Sequence, residues 1–379
     1  MLRLRSLTNL LSAGWLGLFL CASCGGGASA GQRDDDGGSG SGGVTGDGGT
    51  TGSGSGGAGT SDDGGTGGAG APRCMGSPLG ADNTSLTINT YAAAAPSGAI
   101  VTGPDDNVWF TEPNAIGLAT QLGTVVDFSL PSSDSAPSGI AAGADGNVWF
   151  TETGTGTGTG NKIGRITPDG VIKEFTIPTN ESLPAGIGAG PDGNVWFTEA
   201  AAGKIGRITP AGSITEFPLP TPDGGPGSIT AGGDGNVWFT ESSANKIGRI
   251  TPAGVVKEFA IPTAESFPTG AALGPDGNVW FVEPGKARIG RVTPAGAVTE
   301  YPLPDSTESP GGITSGPDGN LWFTGYATGN IGRITPTGTV TMFVVSAGTN
   351  NSPSGITLGA DCNLWFTDPG NSKVGRVAP

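Results

Sequence analysis

One short run, Asn-Val/Leu-Trp-Phe, recurs seven times, with its tryptophan at positions 109, 149, 196, 238, 280, 322 and 365. The spacings are 40, 47, 42, 42, 42 and 43 residues. A near-constant period means that one unit cannot bury its own apolar surface and must stack on copies of itself. A second signature follows each copy, as in Lys162-Ile163-Gly164-Arg165-Ile166-Thr167-Pro168-Asp169-Gly170, and then an alternating stretch ending in an aromatic, Val171-Ile172-Lys173-Glu174-Phe175. Short alternating runs separated by Pro and Gly exclude helical solenoids, which need long uninterrupted segments. They fit the blade of a β-propeller.

Each unit reads as four strands: A (Gly-Ile-x-x-Gly), B (Val-Trp-Phe-Thr-Glu), C (Ile-Gly-Arg-Ile-Thr) and D, which ends in Glu-Phe-x-Ile/Leu-Pro. The A-to-B connection, Pro-Asp-Gly-Asn, and the C-to-D connection, Thr-Pro-Asp/Ala-Gly, place Pro and Gly where a tight turn needs them. Along strand B the Trp points to one face and the flanking Val and Phe to the other, so both faces are apolar, as a blade between two neighbours requires. Strand A is Gly-rich because seven copies crowd the axis. The strand-D aromatics are Tyr91, Phe128, Phe175, Phe217, Phe259, Tyr301 and Phe343, so the first precedes the first Trp and none follows the last. The final unit, 355–377, therefore lacks strand D, and the N-terminal segment 85–91 is expected to supply it, hiding two sheet edges. Cys362 replaces Gly in the A-to-B turn of that last blade, and Cys74 lies shortly before its added strand. A Cys74–Cys362 disulfide is expected, the alternative being two free thiols. The expected fold is thus all-β, a seven-bladed propeller of four-stranded blades over residues 84–379.

The chain of 379 residues has 73 Gly, 30 Pro, 13% charged residues, a formal charge of -15 and no histidine. The acidity argues against a nucleic-acid partner, since no basic stripe displaces phosphate counterions. The absence of histidine excludes imidazole acid/base chemistry, Ser-His-Asp triads and imidazole metal sites. Residues 1–23 read as an export signal: Arg3 and Arg5, a short apolar run from Leu7 to Leu20, then Cys21-Ala22-Ser23-Cys24, which resembles a bacterial lipobox with Cys24 as the lipidated residue. The alternative is a plain secretory signal and a secreted or periplasmic protein. Gly25 after Cys24 is similar to outer-membrane lipoproteins. Residues 24–83 are rich in Gly, Ser, Thr and Asp and too poor in apolar residues to offset their chain entropy, so they are expected to form a disordered tether. Membrane contact is expected only through the lipid, and the propeller is expected to be a monomer.

The repeated G-P-D-G-N-V-W-F-T-E, K-I-G-R-I-T-P-x-G and E-F-x-L-P units resemble those of the virginiamycin B lyases (streptogramin lyases), which are seven-bladed propellers. The resemblance implies a Mg2+-dependent elimination that opens a cyclic depsipeptide antibiotic at its ester. It also implies a site built from a Glu-x-His-Gly segment leading into strand A of the final repeat, a Glu closing strand B, and a second His one repeat earlier. At these positions this chain has Ser352 for the ligand Glu, Ser354 for the catalytic His, Asp368 for the strand-B Glu and Gly311 for the second His; Gly325 replaces the strand-B Glu of the preceding blade. No base stands where elimination needs one, and a serine hydroxyl without a neighbouring base does not replace it.

Rotational repetition places the strand-B carboxylates Glu112, Glu152, Glu199, Glu241, Glu283 and Asp368 on one rim, interrupted at Gly325, with the strand-A starting residues Ser138, Ala185, Thr269 and Ser354 facing it. Carboxylates converging on a mouth repel one another and either shift upward in pKa or recruit a cation, and oxygen ligands favour Mg2+ or Ca2+. Alternatively each pairs with a nearby cation such as Lys204 or Lys246. The Arg165, Arg207, Arg249, Arg291, Arg333 and Arg376 series is expected to hydrogen-bond between blades, and the Asp of each Pro-Asp-Gly-Asn to shape its turn. The Thr-Gly run from Thr153 to Gly160 lengthens blade 2. These features together predict a binding module whose ligand or protein partner sits on the carboxylate face. Two enzymatic alternatives remain: a redirected Mg2+-dependent streptogramin lyase, and a cation-dependent lactonase or other hydrolase.

Overall fold

The structure, a computed structural model, describes residues 88–154, 160–345 and 351–379. The leader 1–23 with Cys24, the tether, Cys74 and most of the Thr-Gly run lie outside the described residues.

The described residues form seven antiparallel sheets of four strands, and six of them are consecutive A-B-C-D meanders. Blades 1 to 6 span 100–129, 137–176, 184–218, 226–260, 271–302 and 310–344. Blade 7 takes strands Ile356–Leu358, Leu364–Asp368 and Lys373–Val377 from the C-terminus and its outer strand, Ile88–Ala92, from the N-terminal side. That outer strand pairs with Lys373–Val377 from Ile88↔Val377 to Ala92↔Lys373, so the expected closure of the ring is present. The A-to-B and C-to-D turns lie on one face, called lower here. The B-to-C and D-to-A connections lie on the other, upper face.

The blades stack as the alternation of strand B demands. Trp109, Ile116 and Phe128 of blade 1 pack against Ile140, Val148, Phe150 and Ile166 of blade 2. The same contact crosses the closure, where Trp365 and Val374 meet Ile100, Val108, Phe110 and Ala119. All seven repeat tryptophans are fully buried. Each is fixed at both ends: Trp196 donates its indole N–H to Asp192 (3.0 Å) and stacks on Phe217 at 5.5 Å. Arg207 lies over the Trp196 ring at 5.4 Å and donates to the Pro252 carbonyl of the next blade at 2.9 Å. Arg165, Arg249, Arg291 and Arg376 also donate to a carbonyl of the next blade, so these arginines are inter-blade residues and the turn aspartates shape their turns, as the sequence predicts.

Near the axis, strand-B threonines tie blade to blade. Thr198 Oγ1 accepts from the Gly186 N–H of its own blade and donates to the Gly227 carbonyl of the next (2.9 and 2.8 Å). Thr367 repeats this across the closure, donating to the Gly98 carbonyl at 2.8 Å. Glycine is required here for close approach: a Cβ on Gly355 would lie 2.0 Å from the Gly98 oxygen. Cys362 has φ of 62° where blades 2 to 6 have a turn glycine, and it is disulfide-bonded.

Candidate functional site

The last residue of strand B sits on the Val/Phe face of the blade, which is the face covered by the preceding blade. Glu152, Glu199, Glu241 and Glu283 are accordingly fully buried rather than turned to the mouth. Among the described residues, neither carboxylate oxygen of any of the four has a partner in hydrogen-bond geometry. Burial in a low-dielectric site disfavours the charged form and pushes each of the four up to about 7. Glu112 is raised for the same reason, although the Ala95 N–H, at 3.2 Å from it, acts in the opposite direction.

The lysines expected to neutralise these glutamates do not. Glu199 and Lys204 are cross-strand neighbours, yet the Lys204 ammonium reaches outward to Glu216 on strand D (3.1 Å) and to the Thr179 hydroxyl (2.6 Å). Lys246 does the same with Glu258 and Thr221 (2.6 and 2.7 Å), and Lys162 with Glu174 and Ser132 (2.5 and 2.7 Å). The outer position is wetter, so an ion pair there loses less hydration than one beside the buried carboxylate. Burial works against ionisation of Glu216 too, but hydrogen bonds from the Thr179 N–H and hydroxyl and from Lys204 outweigh it and hold this carboxyl below the ordinary value.

The break in the series at Gly325 is filled from elsewhere. Glu308, buried in the loop before blade 6, has its carboxylate so close over Gly325 that a Cβ there would lie 2.6 Å from it. It accepts from the Ser309 N–H at 2.9 Å and from the Thr328 hydroxyl. Sequence reasoning missed this residue, although the signal existed. The buried serines Ser135, Ser182 and Ser266 stand two residues before the proline that begins or leads into strand A, and Glu308 occupies that place only in the blade that has lost its strand-B glutamate.

In blade 7, Asp368 accepts from the Ser352 N–H at 3.0 Å and from the Asn371 amide at 2.7 Å, one on each oxygen. Ser352 Oγ accepts from the Gly370 N–H at 2.9 Å. Ser354 lies nearer the axis: its N–H donates to the Thr367 carbonyl at 2.9 Å and its carbonyl accepts from Thr324 Oγ1 at 2.6 Å. Among the described residues the Ser354 hydroxyl has no carboxylate or amine as hydrogen-bond partner, and no group of three or more Asp, Glu or Cys is arranged to hold a metal ion.

The model of the virginiamycin B lyase family matches residues 80–159, 156–347 and 288–379. The chain belongs to that family. Virginiamycin B lyase-like propellers among the solved structures agree: a streptogramin B lyase is 35% identical, with 77% of this chain and 97% of that chain covered and a TM-score of 0.72. The virginiamycin B lyase of Staphylococcus aureus is 37% identical, with 78% and 100% covered and the same TM-score. A catalytically inactive variant of that enzyme, with a histidine changed to alanine and solved with quinupristin, is 36% identical over 78% of this chain and all of that one, again at a TM-score of 0.72. No curated protein matches the chain.

Within this virginiamycin B lyase-like frame, the donor set decides whether Mg2+ fits. Mg2+ needs near-octahedral oxygen ligands, usually one or two carboxylates with waters completing the shell. At the family's position this chain offers a single carboxylate, Asp368, each oxygen of which also accepts one hydrogen bond from a protein group. Ser352, in place of the ligand glutamate, has its hydroxyl engaged by the Gly370 N–H. Asp368 is thus the single acidic ligand that this position offers a cation.

Proposed function

We propose that this propeller is a binding module that uses its upper face and has lost the lyase chemistry of its family. The observation that carries the reading is the pair Ser354 and Asp368: a hydroxyl without a base where the family has an imidazole, and a carboxylate held by protein donors where the family binds a metal. A relative loses catalysis when one histidine becomes alanine, and this chain has no histidine at all. The upper face has the features of a ligand surface. Nine of the eleven described non-glycine residues with positive φ lie in its loops, Leu183 and Phe267 among them, and both of these are exposed. Backbone strain of this kind persists where the surrounding structure imposes it and gathers at recognition sites.

The test is incubation of the purified protein, with Mg2+, with a type B streptogramin. We expect the cyclic antibiotic to be recovered unchanged by mass spectrometry; a linear product would overturn the reading. We further infer export and anchoring through Cys24, supported by the leader and the small residues before that cysteine. Cys24→Ser is expected to move the protein from the membrane to the soluble fraction.

A further inference from the structure

Blade 6 departs from its neighbours at one place. In blades 2 to 4 the outer upper corner is closed by three groups in contact: the strand-C lysine, the strand-D glutamate and a loop hydroxyl, as in Lys204, Glu216 and Thr179. Blade 6 has Asn330, Met342 and Asp305 at these positions. The ammonium is gone, the strand-D carboxylate has become apolar, and a carboxylate stands where the hydroxyl was. Asn330 is shorter than the lysine it replaces and does not refill the space. A cavity of about 210 Å³ remains, lined by Leu303, Pro304, Asp305, Glu308, Asn330 and Met342.

The chemistry of that cavity is not that of a random gap. Glu308 is only 3% exposed. Its partners, the Ser309 N–H and the Thr328 hydroxyl, are neutral, whereas the carboxylates at the matching corner of blades 2 to 4 each hold an ammonium. Asp305 uses one oxygen, Oδ1, for both the Thr307 N–H (2.8 Å) and the Thr307 hydroxyl (2.7 Å), which leaves its second oxygen for a ligand. Leu303, Pro304 and Met342 supply an apolar wall of the kind that lies along an alkyl stem. The volume is below that of the ~300 Å³ sites that accept drug-sized molecules, so the occupant is small.

We propose that this cavity binds a primary alkylammonium group, which takes the place of the lysine that blades 2 to 4 provide for themselves. The hydrocarbon stem lies against Leu303, Pro304 and Met342, and the ammonium is held between Asp305 and Glu308. The site is on the outer corner of blade 6, apart from Ser354 and Asp368, and does not depend on what the central mouth binds.

The experiment is a calorimetric titration of the purified protein, at fixed ionic strength, with 1,5-diaminopentane and with Nα-acetyl-lysine amide. Butyrate serves as an anion of similar length. Saturable one-site binding of an amine and none of butyrate is expected. Tighter binding of the lysine amide identifies a lysyl side chain of a partner as the source, and tighter binding of the diamine a free amine. The double variant Asn330→Lys with Met342→Glu recreates the filled corner of blades 2 to 4, so it should fold and weaken amine binding by roughly tenfold or more, the worth of one charge-assisted hydrogen bond. Glu308→Gln should weaken it by a similar factor, with its thermal melt recorded alongside. Absence of saturable amine binding, or undiminished affinity in the double variant, overturns the proposal. Since neither readout involves a streptogramin, its failure is distinct from failure of the reading of the central site.

Discussion

Blades 3 and 6 share a frame and differ at one corner. Trp196 and Trp322 are equally buried, donate to Asp192 and Asp318 at 3.0 Å and stack on Phe217 and Phe343 at 5.5 and 5.3 Å. Their strand-B threonines bridge to the next blade in the same way. On the upper face the likeness ends. Blade 3 has Glu199, Lys204, Glu216 and Thr179, and blade 6 has Gly325, Asn330, Met342 and Asp305. The frame is repeated because each blade is its neighbour's core, so a change in one is felt by two. The upper corner meets its neighbour mainly through a loop residue such as Thr179, which bonds Glu216, so its residues can change without disturbing the stacked faces.

The largest test asks whether the frame is as uniform as it looks. Truncating a buried tryptophan removes its transfer energy and leaves a cavity, at ~3–5 kcal/mol. Trp196→Ala and Trp322→Ala should cost the same to within about 1 kcal/mol in urea unfolding. A much smaller loss for Trp322→Ala would mean that blade 6 is loosened throughout, and the contrast between frame and corner would break.

Blade 7 differs from the others by joining both ends of the propeller, and Cys362 marks it. We propose Cys74 as its disulfide partner, which closes the ring covalently beside the added strand Ile88–Ala92. From the usual worth of a native disulfide, Cys362→Ser should destabilise by about 2–4 kcal/mol, and Cys74→Ser equally. Peptide mapping without reduction should recover the two residues on one cross-linked fragment. Separate alkylated peptides would refute the pairing.

Two carboxylates of blade 3 sharpen the contrast between buried and wet positions. For Glu199 the folded pKa, about 7, exceeds the ordinary ~4.3, so the folded state binds the extra proton. Its stabilising contribution is complete below pH ~4.3 and is lost as the pH rises to about 7. Glu199→Gln should therefore raise stability at pH 8, on the order of 3–4 kcal/mol for a shift of this size, with the gain vanishing by pH 4. Glu216 is held below its ordinary value, so its contribution is present at neutral pH and lost on acidification. Glu216→Gln should lower stability at pH 7 and have no effect in acid. Parallel pH profiles for the two variants would show that the buried carboxylate is hydrated after all.

Much of this was legible in the sequence. The Trp spacing, the alternation of strand B and the one-strand offset of the D aromatics define the blade count, both faces and the closure, since all three follow from backbone periodicity. The site was less legible because it depends on side-chain reach. Lys204 is Glu199's cross-strand neighbour yet bonds Glu216, a choice made by hydration rather than register. Glu308 entered from a loop, outside the repeat on which the carboxylate series was counted. The absence of an imidazole at Ser354 was visible from composition alone.

The smallest test concerns strain in the upper loops. In the loop leading into blade 3, Glu181 is exposed and has φ of 55°, in the left-handed region that costs an L-residue roughly 1 kcal/mol or more. Its neighbour Asn180 is also exposed but is not among the positive-φ residues. Glycine at 181 relieves the strain at some cost in chain entropy, so Glu181→Gly should stabilise by about 0.5 kcal/mol, while Asn180→Gly, with nothing to relieve, should destabilise by a similar amount. Thermal melts of the two variants read the difference directly. If both lose stability, the loop carries no stored strain, and the upper face is distinguished from the frame by composition alone.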